Sequence, residues 1–264
     1  MLADRAVVVS VKTNRDLRAF SLVELLVVVA LIAVLIALVL YAVGALRKSA
    51  RSALDGSRQR QLIIANINYT GDYEGRWLNS MTNSDPDCWV KAYGANIGAG
   101  NRELVGALHD GSAWTYLGDE RAYKSPEDSS DRIRSYSYNA QVGVRPNGYH
   151  VTGGYGPATW TFSTIRMPGD TMMTVVEHSE YGYNPQGFYV GLPGTAYEGC
   201  WVDYPAYWNP KGVNIGYVDG SVRFYTFKDP DLPNIVDHAG TWGFTGPDLD
   251  YFEGTMMPGW DGNW

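Results

Sequence analysis

The feature that most constrains this chain is an uncharged apolar run near its N-terminus. The 22 residues from Leu25 to Leu46 contain no Asp, Glu, Lys or Arg and consist mainly of Leu, Val, Ile and Ala. At a rise of about 1.5 Å per residue, a helix of this length spans roughly 33 Å, which covers the hydrocarbon core of a bilayer. The run therefore predicts one membrane-spanning helix.

The residues that precede this run carry a net positive charge. Four basic residues stand against Asp4 and Asp16 within positions 1–19. Such a bias keeps the N-terminal end in the cytoplasm, so we expect the rest of the chain on the other side of the membrane. A removable secretory signal cut near Ala42, Gly44 and Ala45 is the alternative, although its apolar core would be only about 7–15 residues long.

Composition excludes several other classes of protein. Hydrophobic residues make up 45% of the 264 residues, which is too many for a disordered chain, and two cysteines are too few for a disulfide scaffold. The chain has 21 Lys and Arg against 28 Asp and Glu, a net charge of -7. A nucleic-acid partner is not expected, because no basic surplus is present to neutralise phosphates.

An acidic residue stands at the head of the apolar run. Glu24 lies in the sequence Phe20-Ser21-Leu22-Val23-Glu24-Leu25-Leu26. A carboxylate one turn inside a membrane helix costs about 2.5–3.5 kcal/mol or more unless it finds a partner. Capping of an ordinary helix N-terminus, where the helix dipole favours an acid, is one explanation for Glu24.

These residues resemble the N-terminal motif of type IV pilins and type II secretion pseudopilins, in which Phe is the first mature residue and Glu is the fifth. The resemblance implies that a prepilin peptidase cuts between Ala19 and Phe20 and that the new amine of Phe20 is methylated. Glu24 would then pair with the Phe20 ammonium of a neighbouring subunit. One departure is Ala19, which stands where the family usually has Gly.

The motif and the apolar pattern together predict four segments. They are a leader at 1–19, a transmembrane and assembly half of a spine helix at 20–46, its amphipathic half at 47–70, and an exported head at 71–264. The predicted packing stripe of the second half consists of Leu46, Ala50, Ala53, Leu54, Ser57, Gln61, Leu62, Ala65 and Tyr69. The expected fold class is α+β, a long N-terminal helix packed on a small antiparallel sheet with long loops.

Short alternating segments between turn residues predict the strands of the head. The candidates are Ser135–Gly143, Thr159–Ile165, Thr171–Val176 and Val213–Phe227. Asp219-Gly220 predicts a two-residue hairpin loop within the last of them. With that loop, Tyr217 lies opposite Val222 and Ile215 lies opposite Phe224, and these four residues form an apolar face that covers the helix.

This hairpin carries a second resemblance, to the prepilin-type processing-associated His-X9-Asp-Gly domain. Asn214, Asp219 and Gly220 match its signature, whereas Asn209 occupies the place near the signature His. Supporting similarity is found in four further segments: Tyr69–Gly75, Lys124–Asp128 with Ser125 in place of Cys, Ser135–Asn139, and Ile165–Val176.

Side chains that could carry chemistry are scattered. The four histidines, His109, His150, His178 and His238, have no metal-ligand spacing, and no nucleophile elbow or phosphate loop occurs. Glu177-His178 is a compact acid–histidine pair after a predicted strand. We therefore expect no enzyme and no cofactor. Ca²⁺ is a weaker expectation from the loop acids, since some pseudopilins bind it; solvated loop acids are the preferred interpretation.

Two features of the head leave alternatives open. Cys88 and Cys200 are expected outside the cytoplasm, where a disulfide between them would persist. The aromatic residues Tyr204, Tyr207, Trp208, Trp260 and Trp264 form a glycan-binding platform in one hypothesis and fill the core in the preferred one. A glycosidase with two facing acids is a weaker third hypothesis.

The resemblance implies a mechanical function. The chain is expected to be a single-pass protein of the bacterial inner membrane, with its head periplasmic or extracellular, that joins a filament or the cell surface through its N-terminal helix. The implied partners are the prepilin peptidase, other pilin or pseudopilin subunits and the inner-membrane assembly platform. The alternative is a membrane-anchored glycan-binding module displayed on a pilin-type helix.

Overall fold

The computed structural model describes residues 21–83, 85–91, 105–144, 156, 158–178, 187–232 and 245–259. Ala19, Phe20, Trp260, Trp264, His150 and His238 lie outside the described residues. The chain divides into two compact units, Met1–Lys48 and Ser49–Trp264.

A single long helix, α1, occupies Leu22–Asp72. In the first unit its side chains are exposed from Leu22 onwards apart from half-buried Val43. Because α1 is continuous from Leu22 to Asp72, the predicted spine helix is confirmed over its described part. The helix ends where Gly75, at φ +77°, donates its amide to the carbonyl of Thr70 at 2.8 Å.

The buried face of α1 in the second unit is more polar than the predicted stripe. Its buried residues are Asp55, Gln59, Leu62, Ile63, Ala65, Asn66, Tyr69 and Thr70. The stripe is correct for Leu62, Ala65 and Tyr69. It is wrong for five exposed residues of this unit: Ala50, Ala53, Leu54, Ser57 and Gln61. The reason is that hydrogen bonds, and not only apolar contacts, hold this helix against the sheet.

The remaining described elements form two small sheets and several short helices. The strands are β1 Asn79–Asn83, β2 Cys88–Lys91, β3 Tyr136–Tyr138, β4 Met172–Val176, β5 Gly212–Tyr217 and β6 Val222–Thr226. The helices after α1 are α2 Val105–His109, α3 Trp114–Leu117 and α4 Pro247–Met256, with 3₁₀ turns at Glu120–Tyr123 and Phe162–Thr164. Strands β1 and β2 pair in parallel, and β3-β4-β5-β6 form an antiparallel sheet in that order.

The strand predictions hold for the central sheet and fail at two places. Thr159–Ile165 is not a strand, because its apolar residue Phe162 begins a 3₁₀ turn and only isolated bridges form at Thr159 and Thr161. The segment Ser135–Gly143 is a strand only over Tyr136–Tyr138, since the chain turns after it.

The hairpin exists, but its predicted register is wrong by one residue. Ile215 lies opposite Arg223 and Gly216 lies opposite Val222. The loop has three residues because Gly220 adopts φ +88°, and Tyr217 donates its amide to the carbonyl of Ser221 at 2.8 Å. A slip of one residue moves side chains to the opposite face of a strand.

The two faces of the antiparallel sheet pack on different helices. Asn214 and Gly216 of β5 face α1: a side chain built at Gly216 would lie 2.6 Å from Ile63. Tyr217 faces the other side, where its hydroxyl lies 2.5 Å from that of Tyr251 in α4. The predicted single apolar face is therefore wrong: Tyr217 lies away from α1 and Phe224 is 44% exposed, whereas Val222 lies 3.5 Å from a Cβ built at Gly56 of α1.

Candidate functional site

The N-terminus of α1 is closed by a reciprocal pair of hydrogen bonds. The amide of Ser21 donates to Glu24 Oε2 at 2.9 Å, and the amide of Glu24 donates to Ser21 Oγ at 3.1 Å. This is a capping box, which satisfies two of the helix's unpaired donors. Among the described residues, Glu24 Oε1 has no hydrogen-bond partner, so one carboxylate oxygen is available to a second group.

The helix that follows this cap is the one described helix long and apolar enough to cross a membrane. Its apolar half belongs to the first unit, and its side chains from Leu22 to Tyr41 are exposed. An exposed apolar face this long requires a bilayer or other apolar surfaces to cover it.

A separate candidate site, within the second unit, is formed around a buried carboxylate of α1. Asp55, 2% exposed, accepts four side-chain hydrogen bonds. Its Oδ1 accepts from Ser125 Oγ at 2.6 Å and Tyr136 Oη at 2.7 Å. Its Oδ2 accepts from Gln59 Nε2 at 3.1 Å and Asn214 Nδ2 at 3.0 Å. Four donors on one carboxylate compensate for its removal from water.

Hydrogen bonds around Asp55 connect α1 to three strands of the antiparallel sheet, β3, β4 and β5. Gln59 donates to the carbonyl of Asn214 at 2.8 Å and accepts from Thr174 Oγ1 at 3.0 Å. Asn214 donates to the carbonyl of Ser52 at 2.8 Å. Burial, followed by the Asp55 carboxylate, raises the pKa of Tyr136 well above its ordinary value, so its hydroxyl stays protonated and donates. We call Asp55, Gln59, Ser125, Tyr136 and Asn214 the spine–head junction.

Three of the segments singled out in the sequence converge on this junction. Asn214 comes from the hairpin signature, Ser125 from Lys124–Asp128, and Tyr136 from Ser135–Asn139. Sequence reasoning missed Asp55 and Gln59. The available signal was polar: Asp55 is the one acid among the basic residues between Arg47 and Arg60.

The other signature residues shape turns rather than the junction. Asn209 Oδ1 accepts from the amide of Lys211 at 3.2 Å, which forms the turn before β5. Asp219 Oδ1 accepts from the amide of Ser221 at 2.8 Å inside the hairpin loop. Partial burial acts to raise the pKa of Asp219, but the bonds from Ser221 and the charge of Arg223 hold it below its usual value. Gly220 supplies the left-handed conformation that the loop requires.

Comparison with known protein families adds one finding. Residues 14–40 match the family model of the prokaryotic N-terminal methylation motif. The match supports a pilin-type prepilin. It spans the predicted cleavage point between Ala19 and Phe20 together with Glu24, and it points to a structural subunit rather than an enzyme. With the apolar helix, it suits a single-pass, membrane-anchored protein. No curated protein and no solved structure matches the chain.

The remaining candidate sites of the head are closed or dispersed. Glu177 is fully buried and accepts a hydrogen bond from Ser137, and the ring of His178 stacks on Tyr207 at 5.4 Å. This pair is therefore part of the packed interior. Among the described residues, no group of three or more His, Cys, Asp or Glu side chains is arranged to hold a metal ion.

The described part of the aromatic cluster is packed rather than displayed. Tyr204 is 4% exposed and stacks on Trp201 at 5.8 Å. Trp208 is half-buried beneath the guanidinium of Arg132, 5.2 Å from its ring centroid. Tyr204 is therefore part of the core, and Tyr207 and Trp208 are half-buried.

Both cysteines are free thiols in the structure, so the disulfide that the sequence left open is not formed there. Cys88 is fully buried on β2, whereas Cys200 is half-buried in a loop. The sulfur of Cys200 lies 3.7 Å from the carbonyl oxygen of Glu198, within the same loop.

Proposed function

We propose that this chain is a structural subunit of a type II secretion pseudopilus or a type IV-like filament. Prepilin peptidase removes residues 1–19, the amine of Phe20 is methylated, and the subunit enters the filament through α1 on the inner-membrane assembly platform. Its head stands outside the cytoplasm before and after assembly. The match of residues 14–40 to the methylation motif is the observation that carries this proposal.

The capping box supports the assembly role of Glu24. In the single subunit Glu24 Oε2 already accepts from Ser21, while Oε1 has no partner among the described residues. We propose that the Phe20 ammonium of a neighbouring subunit binds that oxygen, and that the ion pair offsets the burial of both charges among apolar helices. Capping and assembly are therefore two compatible uses of one carboxylate.

The spine–head junction explains how the head follows the helix out of the membrane. When the helix leaves the bilayer, the head moves with it only if the contacts between helix and head keep a fixed geometry. Asp55 and Gln59 bind three strands by directional hydrogen bonds. We also interpret the head as a degenerate His-X9-Asp-Gly domain, since the segments that resemble it supply three of the five junction residues.

The proposal is tested with Glu24→Gln, because Gln retains the capping box but lacks the charge. We expect Glu24→Gln to be cleaved normally and to be excluded from filaments that the wild-type chain forms. Glu74→Gln, a neutralised exposed acid beyond the other end of α1, is the matched control and should assemble. Electron microscopy of sheared filaments and immunoblots of processed subunit give the two readouts. Normal assembly of Glu24→Gln would refute the ion pair.

A further inference from the structure

The apolar run of α1 ends in a pair of cations. Leu46 is the last residue of the run, Arg47 and Lys48 follow directly, and Arg51 stands in the next turn. Residues 25–54 contain no acid, so no charge along this part of the helix neutralises the pair. Arg47 and Lys48 belong to the same unit as the apolar run.

The protein itself engages neither of these two cations. Both side chains are exposed, and neither forms an ion pair or a hydrogen bond in the part of the chain that the structure describes. By contrast, Arg132 in the head binds the carboxylate of Asp128 at 2.5 Å. Arg47 and Lys48 therefore keep their charge and their side-chain donors for a group outside this chain.

Their position along the helix is that of lipid headgroups. A membrane helix from Leu25 to Leu46 covers about 33 Å, and the headgroup layer adds roughly 5–7 Å on each side of the hydrocarbon core. Arg47 and Lys48 lie about 1.5–3 Å beyond Leu46 along the axis, inside that layer. Tyr41, 81% exposed and two turns before Lys48 on the same face, has the amphipathic ring that is typical of a membrane interface.

Cations at this end of the run need an explanation, because they oppose the expected orientation. Lys and Arg are normally concentrated on the cytoplasmic flank of a membrane helix, and the expected orientation puts residues 1–19 there. An anionic bilayer surface removes this conflict, since it attracts each cation close to it. The guanidinium of Arg47 can bind two oxygens of one phosphate, and Lys48 adds a point charge beside it.

We propose that Arg47 and Lys48 bind the phosphate groups of anionic phospholipids, in the leaflet that surrounds the C-terminal end of the apolar run. A second copy of the chain is a poorer source of anion at this level. Glu24 is the single acid of residues 20–54, and it lies about 35 Å from Arg47 along the helix. The lipid contact holds the subunit at a defined depth before it enters a filament. The inference rests on the membrane anchorage within the proposed function.

The lipid that the full chain retains on purification tests this contact. The chain is reconstituted in vesicles of equal amounts of phosphatidylcholine and phosphatidylglycerol and repurified in a mild detergent. Mass spectrometry of the extracted lipid then gives the ratio of phosphatidylglycerol to phosphatidylcholine per chain. We expect wild type to retain phosphatidylglycerol preferentially. Arg47→Gln/Lys48→Gln should lower the ratio by about fivefold, the factor expected for a cation near an anionic surface.

Matched variants separate the pair from net charge. Arg60→Gln/Lys211→Gln removes two exposed cations elsewhere in the chain and should keep the wild-type ratio. Arg47→Lys should retain most of the preference, because it keeps the charge. Residues 1–19 are identical in every variant, so the cations of an uncut leader do not affect the comparison. Equal ratios for wild type and Arg47→Gln/Lys48→Gln would overturn the proposal.

Two further arms identify the source of the anion. Sodium phosphate and sodium chloride of equal ionic strength, added during repurification, should lower the ratio equally, because screening does not depend on the anion. Displacement by phosphate alone would mean that free phosphate occupies the pair, and it would overturn the lipid assignment. A carbodiimide cross-link from Lys48 to an acid of another copy in filaments would also overturn it.

The outcomes for the lipid contact and for the proposed function are distinguishable. A ratio that falls in Arg47→Gln/Lys48→Gln, with a wild-type chain that is neither cut nor assembled, would sink the filament subunit and leave the lipid contact standing. Methylated, assembled subunits whose lipid ratio does not depend on Arg47 and Lys48 would sink the lipid contact alone.

Discussion

Asp55 is the residue on which the attachment of α1 to the head depends most. It is one of the few buried acids, and its four donors come from α1 itself, from β3, from β5 and from the loop that carries Ser125. Hydrophobic periodicity counts only apolar residues, so it places Asp55 and Gln59 on the solvent side of the helix. The sequence predicted α1 and three residues of its buried face, Leu62, Ala65 and Tyr69, but not the polar residues buried beside them.

Removal of the Asp55 carboxylate should destabilise the head strongly. Asp55→Ala leaves the buried donors of Ser125, Tyr136 and Asn214 without their acceptor, and we expect the free energy of unfolding to fall by about 4 kcal/mol. Ser57→Ala, on the exposed side of the same helix, should stay within about 0.5 kcal/mol of wild type. Urea unfolding of the detergent-solubilised chain, followed by tryptophan fluorescence, measures both. A loss below about 1 kcal/mol for Asp55→Ala would contradict the junction.

A second buried acid makes the head sensitive to acid. Burial acts to raise the pKa of Asp128, but the charge of Arg132 and hydrogen bonds from Ser135 and Ser130 hold it below its ordinary value. A carboxyl whose pKa is lower folded than unfolded stabilises the protein above about pH 4, and this contribution is lost as pH falls through the folded pKa. The pair Arg132–Asp128 therefore stabilises the head at neutral pH and loses this contribution in acid.

Asp128→Asn tests that pH dependence. At pH 7 the substitution should lower the free energy of unfolding by about 3 kcal/mol, because Arg132 loses a buried partner. The difference from wild type should shrink below about pH 4, where wild-type Asp128 takes up a proton. Asp231→Asn, at an exposed position, should change little at either pH. A difference between Asp128→Asn and wild type that is equal at pH 7 and pH 3 would contradict the assignment.

At the scale of elements, the contact between α1 and β5 depends on the absence of a side chain. A Cβ at Gly216 would lie 2.3 Å from Thr174 Oγ1 and 2.6 Å from Ile63 Cδ1. Gly216 therefore lets the strand approach the helix closely enough for Gln59 to reach the carbonyl of Asn214. From the sequence alone, Gly216 would be expected to destabilise the strand.

Gly216→Ala should separate the two elements. We expect it to lower the free energy of unfolding by about 2–3 kcal/mol, because the neighbours of the new methyl group belong to a packed core. Gly254→Ala in α4, where nothing lies within 4 Å of the added Cβ, should be neutral or stabilising by about 1 kcal/mol. Equal stabilities for the two variants in urea unfolding would contradict the close approach.

The hairpin shows which part of an element is predictable from its sequence. Asp219-Gly220 correctly marks the turn, since both residue types tolerate the conformations of tight loops. The dipeptide alone does not determine whether the loop has two or three residues. In the structure the three-residue loop combines the left-handed Gly220 with a tertiary hydrogen bond, from the Asp219 amide to the carbonyl of Pro168 at 3.2 Å. One loop residue then changes which side chains face α1.

At the scale of the whole molecule, the two cysteines provide a test of the head's packing. We expect both to be thiols without any reductant. A maleimide should modify half-buried Cys200 in the folded chain and fully buried Cys88 only after unfolding, with the modified residues counted by mass spectrometry. If denaturation exposes no reactive thiol until a reductant is added, the two cysteines are bridged, which would contradict this prediction.

Local features of this molecule could be predicted from the sequence, whereas contacts between distant segments could not. The membrane helix and Glu24 follow from a local pattern, because an uncharged run of 22 residues has few alternatives. The spine–head junction does not, because Ser125, Tyr136 and Asn214 are distant in sequence and meet only after the sheet forms. Resemblance to a known motif singled out the three segments that contain these residues. The structure shows that one residue of each segment donates a hydrogen bond to Asp55.

The central claim is that the chain is processed and assembled as a pilin-type subunit. The most direct measurement is mass spectrometry of the N-terminus of the protein purified from its native membranes. The account predicts a peptide that begins with N-methylated Phe20, despite Ala19 before the cut. An uncut N-terminus, or a chain that begins near Ala42–Ala45, would contradict it and leave an anchored or secreted domain with no route into a filament.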